Sequence, residues 1–289
     1  YRQAAFGALV LRAELADCCA LLEARGFRPV ALKGAYLARY AYPEEAQRPL
    51  RDLDVLVGQQ HVLDAFAVLQ DHGYQVLTES TATLEEHARY ETHMPVLVSP
   101  RGVMLELHVR LVELDGKLEF RTPTLDVPQV QAASIKTDGI AYPSPDDMLA
   151  HLVIHAIYGH RFDCGPLVLS DIHFLAARHD IDWPGFWART HAGGWQDGAR
   201  LIVELVRHYH GHAGLEPIPG EPAAPPPEIV ELAKDLLLQD YSRKKSARFF
   251  AAILSGGFRT LLDRMTGTVR GGEQENLVLD RSSEGGRLR

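Results

Sequence analysis

The stretch RPLRDLDVLV, residues 48–57, decides how this chain is read. Its second half is an apolar run with an aspartate at every other position at its mouth. Successive strand residues face opposite sides, so Asp52 and Asp54 point the same way. Two carboxylates on one face repel each other and call for a positive partner. A hard divalent cation such as Mg²⁺ or Mn²⁺ would supply it, since such ions take oxygen ligands and often bind one or two carboxylates together with substrate phosphates.

A second strand strengthens the case. In VMLELHVRL, residues 103–111, the positions Val103, Leu105, Leu107, Val109 and Leu111 share one face, and Met104, Glu106, His108 and Arg110 share the other. A solvent-facing strand would tolerate Glu106 and His108 without further meaning. If this strand pairs with residues 52–57, however, Glu106 comes beside the two aspartates. Three such carboxylates can hold two divalent ions about 3.5–4 Å apart, the arrangement that clamps a phosphoryl transfer.

Upstream, Pro29 to Leu32 reads as a short strand, and Lys33-Gly34 turns it into a helix running to about Tyr40. Glycine lets the backbone approach a ligand closely, and the lysine offers a point charge to a triphosphate. Arg48 and Arg51 flank the aspartates, where they either reach phosphate oxygens or balance acid charge. Lys33, Gly34, Arg48, Arg51 and His108 are therefore the candidate nucleotide contacts, and Asp52, Asp54 and Glu106 the candidate catalytic and metal-binding residues.

The chain has 289 residues and a formal net charge of −8, with 46% hydrophobic and 24% charged residues, the balance of a globular protein. The acidic total argues against a general nucleic-acid coat, though not against a local basic cleft. No apolar run approaches the ~20 residues of a membrane span. Three cysteines, two of them adjacent, make no disulfide framework, and a cytoplasmic setting is the expectation. Alternating short strands and helices predict an α+β domain over 1–135. A hairpin is expected within it, where PRG separates MPVLVS from VMLELHVRLVE. A mainly helical domain over 136–264 follows, carrying nine of the 14 histidines and a Pro-rich loop at 216–228. Residues 265–289 read as a disordered tail.

The order ALKGAYLARYAYPEEAQRPLRDLDVLV, LELHVRL, YPSPDDMLAHLVIHA, LSDIHFL and DWPGFW resembles a family of uncharacterised bacterial nucleotidyltransferases within the polymerase-beta-like superfamily, over roughly residues 10–210. The resemblance implies a mixed sheet presenting Asp52, Asp54 and Glu106 to two Mg²⁺ ions. It also implies transfer of a nucleoside monophosphate from an NTP such as ATP to an acceptor, with pyrophosphate released. Lys33-Gly34 stands where the superfamily commonly has Gly-Ser, so a serine contact to phosphate is missing. The acceptor is open between a small molecule, a modified peptide and a tRNA end, and the acidic charge weighs against RNA. A catalytically inactive nucleotide- or partner-binding protein on the same fold, or a metal-dependent phosphohydrolase, is the alternative.

The histidine-rich half holds His151 and His155 on one helical face, then His160, Asp163, Cys164, Asp171 and His173. A structural zinc is the lesser reading of this group, because histidines on amphipathic helices mostly pair with acids or face solvent. The favoured expectation is a buried His155–Asp171 pair joining two helices, with a place lining the cleft as the alternative.

Overall fold

Helix α1 (Arg2–Ala24) buries Leu15, Cys18, Cys19 and Leu22, a stripe at i, i+3, i+4 and i+7, and the chain leaves it through Gly26 at φ +87°. The computed structural model describes residues 2–238 apart from 79, 113–122, 124, 161, 163, 213, 214 and 217. The expected tail, the later part of the last expected helix, and Asp163 lie outside the described residues.

Strand β1 (Val30–Ala31) leads through Lys33 into α2 (Gly34–Tyr40), and a 3₁₀ turn at Glu45–Gln47 precedes β2 (Asp52–Leu56). Helix α3 (Val62–Asp71) buries Val62, Ala65, Phe66 and Leu69, and Gly73 at φ +89° follows it. Then come β3 (Gln75–Val76), α4 (Leu84–Tyr90), β4 (Leu97–Val98) and β5 (Met104–His108). Thr83 and Glu86 close a reciprocal cap at the start of α4. The expected hairpin forms: β4 and β5 are antiparallel, with Gly102 at φ +78° in the turn.

The sheet order is β1-β2-β5-β4-β3. β1 and β2 are antiparallel, β2 and β5 parallel, and the rest antiparallel, so the sheet is mixed. Leu53, Val55, Leu105 and Leu107 fill the face packed on the core. The opposite face of the same strands carries Asp52, Asp54, Glu106 and His108.

After α5 (Val127–Ala132), the hairpin β6 (Ile135–Thr137) and β7 (Ile140–Tyr142) packs β7 against β1. The rest is helical: α6 (Pro145–Ile154), a π-helical turn at His155–Gly159, α7 (Leu167–Arg178), α8 (Trp183–Gly193), α9 (Gln196–His210) and α10 (Pro227–Leu237). Proline near the first turn and an oxygen-bearing cap, Ser144 for α6 and Asp182 for α8, start the helices. Helices α6, α7 and α9 pack on one another, and α7 touches α2. The Pro-rich loop is held to α9 by Glu221, which accepts from Arg207 at 2.6 and 2.9 Å and lies 3.1 Å from Arg200. The chain thus has an α+β core with a five-stranded mixed sheet, followed by a helical part.

Candidate active site

The parallel register of β2 and β5 sets Asp54 directly opposite Glu106, and Asp52 opposite Met104. Residues opposed across neighbouring strands project to the same face. The condition that these strands pair is met, and the acidic side chains line one cleft of ≈ 1270 Å³. Lys33, Gly34, Arg48 and Arg51 line its core-side rim, and His155, Ser170, Tyr209 and His210 belong to the helical wall.

The repulsion between the aspartates is relieved from within the chain. Lys33 Nζ reaches Asp54 Oδ1 at 3.3 Å, and His108 Nε2–H donates to the same oxygen at 2.7 Å. Burial alone would raise the Asp54 carboxyl, but Lys33 and His108 outweigh it and hold Asp54 well below the usual carboxylate range. Burial lowers His108, yet its hydrogen bonds to Asp54 and Glu106 win and raise it. Glu106 is lowered chiefly by His108, whose Nε2 lies 3.5 Å from Oε2. Asp52 is relieved less: burial first, then the charges of Asp54 and Glu106, push its carboxyl up and outweigh Lys33. The ligand atoms of Asp54, Glu106 and His108 all lie within 4.8 Å of one another, close enough to share a metal ion.

Lys33 stands at φ 44°, ψ −117°, a conformation that ordinarily demands glycine. Next to it, a Cβ on Gly34 would sit 2.5 Å from Leu50 Cδ2 and 3.5 Å from Arg48 Nη1. The glycine therefore lets α2 press against the loop that carries Arg48 to Asp52.

Arg48 is neither a plain surface counter-charge nor free to swing. Its Nε donates to Asp171 Oδ1 at 2.7 Å, one terminal nitrogen to Oδ2 at 3.0 Å and the other to the Pro49 carbonyl at 3.0 Å. Tyr42 Oη–H also donates to Asp171 Oδ1 at 2.7 Å. The expected His155–Asp171 pair is thereby corrected, because Asp171, 3% exposed, is filled by Arg48 and Tyr42. His155 instead lies with its ring 4.2 Å from that of His160 and 5.7 Å from that of His151, and takes the alternative place lining the cleft. Burial, then Lys33, lowers the His155 imidazole well below its usual value. Arg51 is exposed at the cleft rim. Among the described residues, the histidine-rich half gathers no group of three metal-ligating side chains.

One residue of the site escaped the sequence pattern. His93 forms an isolated antiparallel bridge with His108 and brings Nε2 to 3.8 Å from Glu106 Oε2. It belongs to no regular strand, so no alternation of polar and apolar residues marks it. Its only signal is a histidine just ahead of the apolar run PVLV.

A mixed sheet that turns a carboxylate cluster into a cleft with a basic rim, backed by helices, defines a nucleotidyltransferase core. The chain belongs to a family described as uncharacterised nucleotidyltransferase, which matches residues 1–211. That membership makes it a transferase acting on a nucleotide. No curated protein and no solved structure matches the chain significantly.

Proposed function

We propose that this protein is a divalent-metal-dependent enzyme that moves a nucleoside monophosphate from an NTP to an acceptor hydroxyl and releases pyrophosphate. The observation that carries the proposal is the register of β2 and β5, which stands Asp54 beside Glu106, with Asp52 on the same face, at the floor of a large cleft. The donor set fits Mg²⁺ or Mn²⁺, being dominated by carboxylate oxygens gathered on one sheet face. Asp52, Asp54 and Glu106 would hold the ions, which when bound polarise the phosphate oxygens and the acceptor hydroxyl.

The chain's own residues supply the rest. Lys33 sits in the cleft in a strained backbone conformation costing about 1–3 kcal/mol, which supports a role for its side chain. Its ammonium, 3.3 Å from Asp54, would pair with the triphosphate where Asp54 holds an ion. Arg51, exposed at the cleft, would contact phosphate. Arg48, fixed by Asp171, presents the flat face and remaining N–H groups of its guanidinium beside Gly34. Glu106 takes the proton of the acceptor oxygen as that oxygen bonds to the α-phosphorus. The bond from the α-phosphorus to the bridging oxygen then breaks, and pyrophosphate leaves. His108 keeps Asp54 oriented throughout.

The cleft volume of ≈ 1270 Å³ exceeds the ~300–1,000 Å³ usual for one small ligand, which supports an acceptor bound beside the nucleotide, against the helical wall. Incubation with NTPs labelled at the α- and γ-phosphates, Mg²⁺ and panels of small-molecule, peptide and tRNA acceptors tests the reading. Labelled pyrophosphate, with the α-label on an acceptor, is expected. Release of inorganic phosphate alone would mean hydrolysis instead.

A further inference from the structure

We propose that His93 is a metal ligand of this site, binding a divalent cation through Nε2 together with Glu106, and that the site therefore favours a first-row transition ion over Mg²⁺. The inference rests on the metal-dependent reading above and adds a nitrogen ligand to it.

Three features point to His93. The first is placement. His93 is the bridge partner of His108 on the neighbouring stretch of chain, and the Met94 N–H donates to the Leu107 carbonyl at 2.9 Å. Opposed residues share a face, so His93 projects to the same side as His108, Glu106 and Asp54. Its side chain is 38% exposed and lines the cleft, so a cation reaches it from solvent.

The second is tautomer. His93 Nδ1 lies 2.8 Å from the Met94 carbonyl. A carbonyl only accepts, so Nδ1 carries the hydrogen, and in the neutral ring Nε2 carries the lone pair. That lone pair stands 3.8 Å from Glu106 Oε2. With the ring neutral, Nε2 and Oε2 are two donor atoms that one divalent cation can bridge. Metal-bound histidines almost always donate their other N–H to a carbonyl or carboxylate, as His93 does here.

The third is distance. Metal–ligand bonds of about 2.1 Å separate neighbouring ligand atoms by about 3.0 Å and opposite ones by about 4.2 Å. A separation of 3.8 Å lies between these limits and needs only a small adjustment.

His108 behaves differently. Its Nε2–H is committed to Asp54, and its Nδ1 is buried without a hydrogen-bond partner. Ligation through Nε2 would move the hydrogen to Nδ1, where nothing accepts it. His108 therefore orients Asp54, and His93 is the imidazole that binds. Imidazole nitrogen suits transition ions, whereas Mg²⁺ prefers oxygen and water.

The test uses the full chain and Mn²⁺ alone, read by electron paramagnetic resonance. Bound Mn²⁺ is expected to show ¹⁴N coupling from one directly bound imidazole. His93→Ala, at a half-exposed position, should abolish that coupling and weaken Mn²⁺ about tenfold or more. Mg²⁺ affinity, measured by competition, should change less. His108→Gln, checked for folding by its melting curve, should keep the coupling; should it not fold, wild type and His93→Ala decide alone. Mn²⁺ bound without ¹⁴N coupling, or coupling unchanged in His93→Ala, would overturn the assignment of His93 and leave the carboxylate site standing. Absence of any Mn²⁺ binding would overturn both.

Discussion

Asp52 and Asp54 are two residues apart on one strand face, yet their surroundings push their carboxyl groups in opposite directions. Asp54 is held down by Lys33 and His108, so its charge stabilises the fold above the unfolded carboxyl value of about 3.9, and that contribution is lost as pH falls toward its lower folded value. Asp52 is pushed up, so its charge opposes folding at neutral pH. Asp52→Asn should therefore leave the melting temperature unchanged or higher. Asp54→Asn should cost about 1–3 kcal/mol, because Lys33 and the buried His108 lose their partner. Both should reduce turnover by about 10²-fold or more. Thermal melts beside a nucleotide-transfer assay check the split; equal stability effects would contradict it. Lys33→Ala should raise KM for the NTP more than it alters metal affinity, and steady-state kinetics would show an unchanged KM if the residue is only a turn. Strand alternation was enough to put Asp52, Asp54 and Glu106 on one side in the sequence. It could not show Lys33 and His108 as the internal counter-charges, because those contacts span 21 and 54 positions.

Strands β2 and β5 were legible as elements because their apolar periods are clean and PRG marks a turn. Their parallel pairing was only a condition in the sequence, since register depends on the long connection between them. The segment after α2 and helix α7 show the limit more sharply. Tyr42 and Arg48 meet Asp171 across 129 and 123 positions, and nothing local in SDIH says which cation its aspartate will find. His155 is nearer in sequence, but a bidentate arginine, whose fork matches a carboxylate, takes the aspartate. Breaking this buried pair should cost about 3–5 kcal/mol in Asp171→Ala. Arg48→Ala combined with Asp171→Ala should be strongly non-additive in unfolding free energy, whereas His155→Ala with Asp171→Ala should add. Strong coupling to His155 instead would return the pairing that the structure replaces.

Across the whole molecule, the sheet carries the carboxylates and the helical part lines the other side of the cleft. His151, 1% exposed on α6, lies in that junction. Neither ring nitrogen has a hydrogen-bond partner of normal geometry, and the Leu111 main chain gives only weak support to the charged form. Burial first, then Lys33 and His108, hold its imidazole well below the usual value, outweighing Asp54. A histidine lowered in the folded state carries no protonation penalty above its unfolded value of about 6.5, and it destabilises the fold increasingly as pH falls below that. His151→Leu should therefore match wild type at pH 8 and gain on it steadily below pH ~6.5 in melting temperature, and parallel curves would contradict this. The helical content of this half was readable from periodicity and caps. Its contribution to the cleft was not, because a wall is built from residues such as Ser170, Tyr209 and His210 that carry no shared motif. On the proposed reading, the face shared by Asp52, Asp54 and Glu106 transfers a nucleotide with the help of divalent ions. The most direct measurement is mass spectrometry of candidate acceptors after incubation with NTP and Mg²⁺ or Mn²⁺, using wild type and Glu106→Gln side by side. One added nucleoside monophosphate is expected with wild type, dependent on the metal, and at least about 10²-fold less with Glu106→Gln. The same adduct formed at equal rate by Glu106→Gln, or formed with all divalent ions chelated, would contradict it.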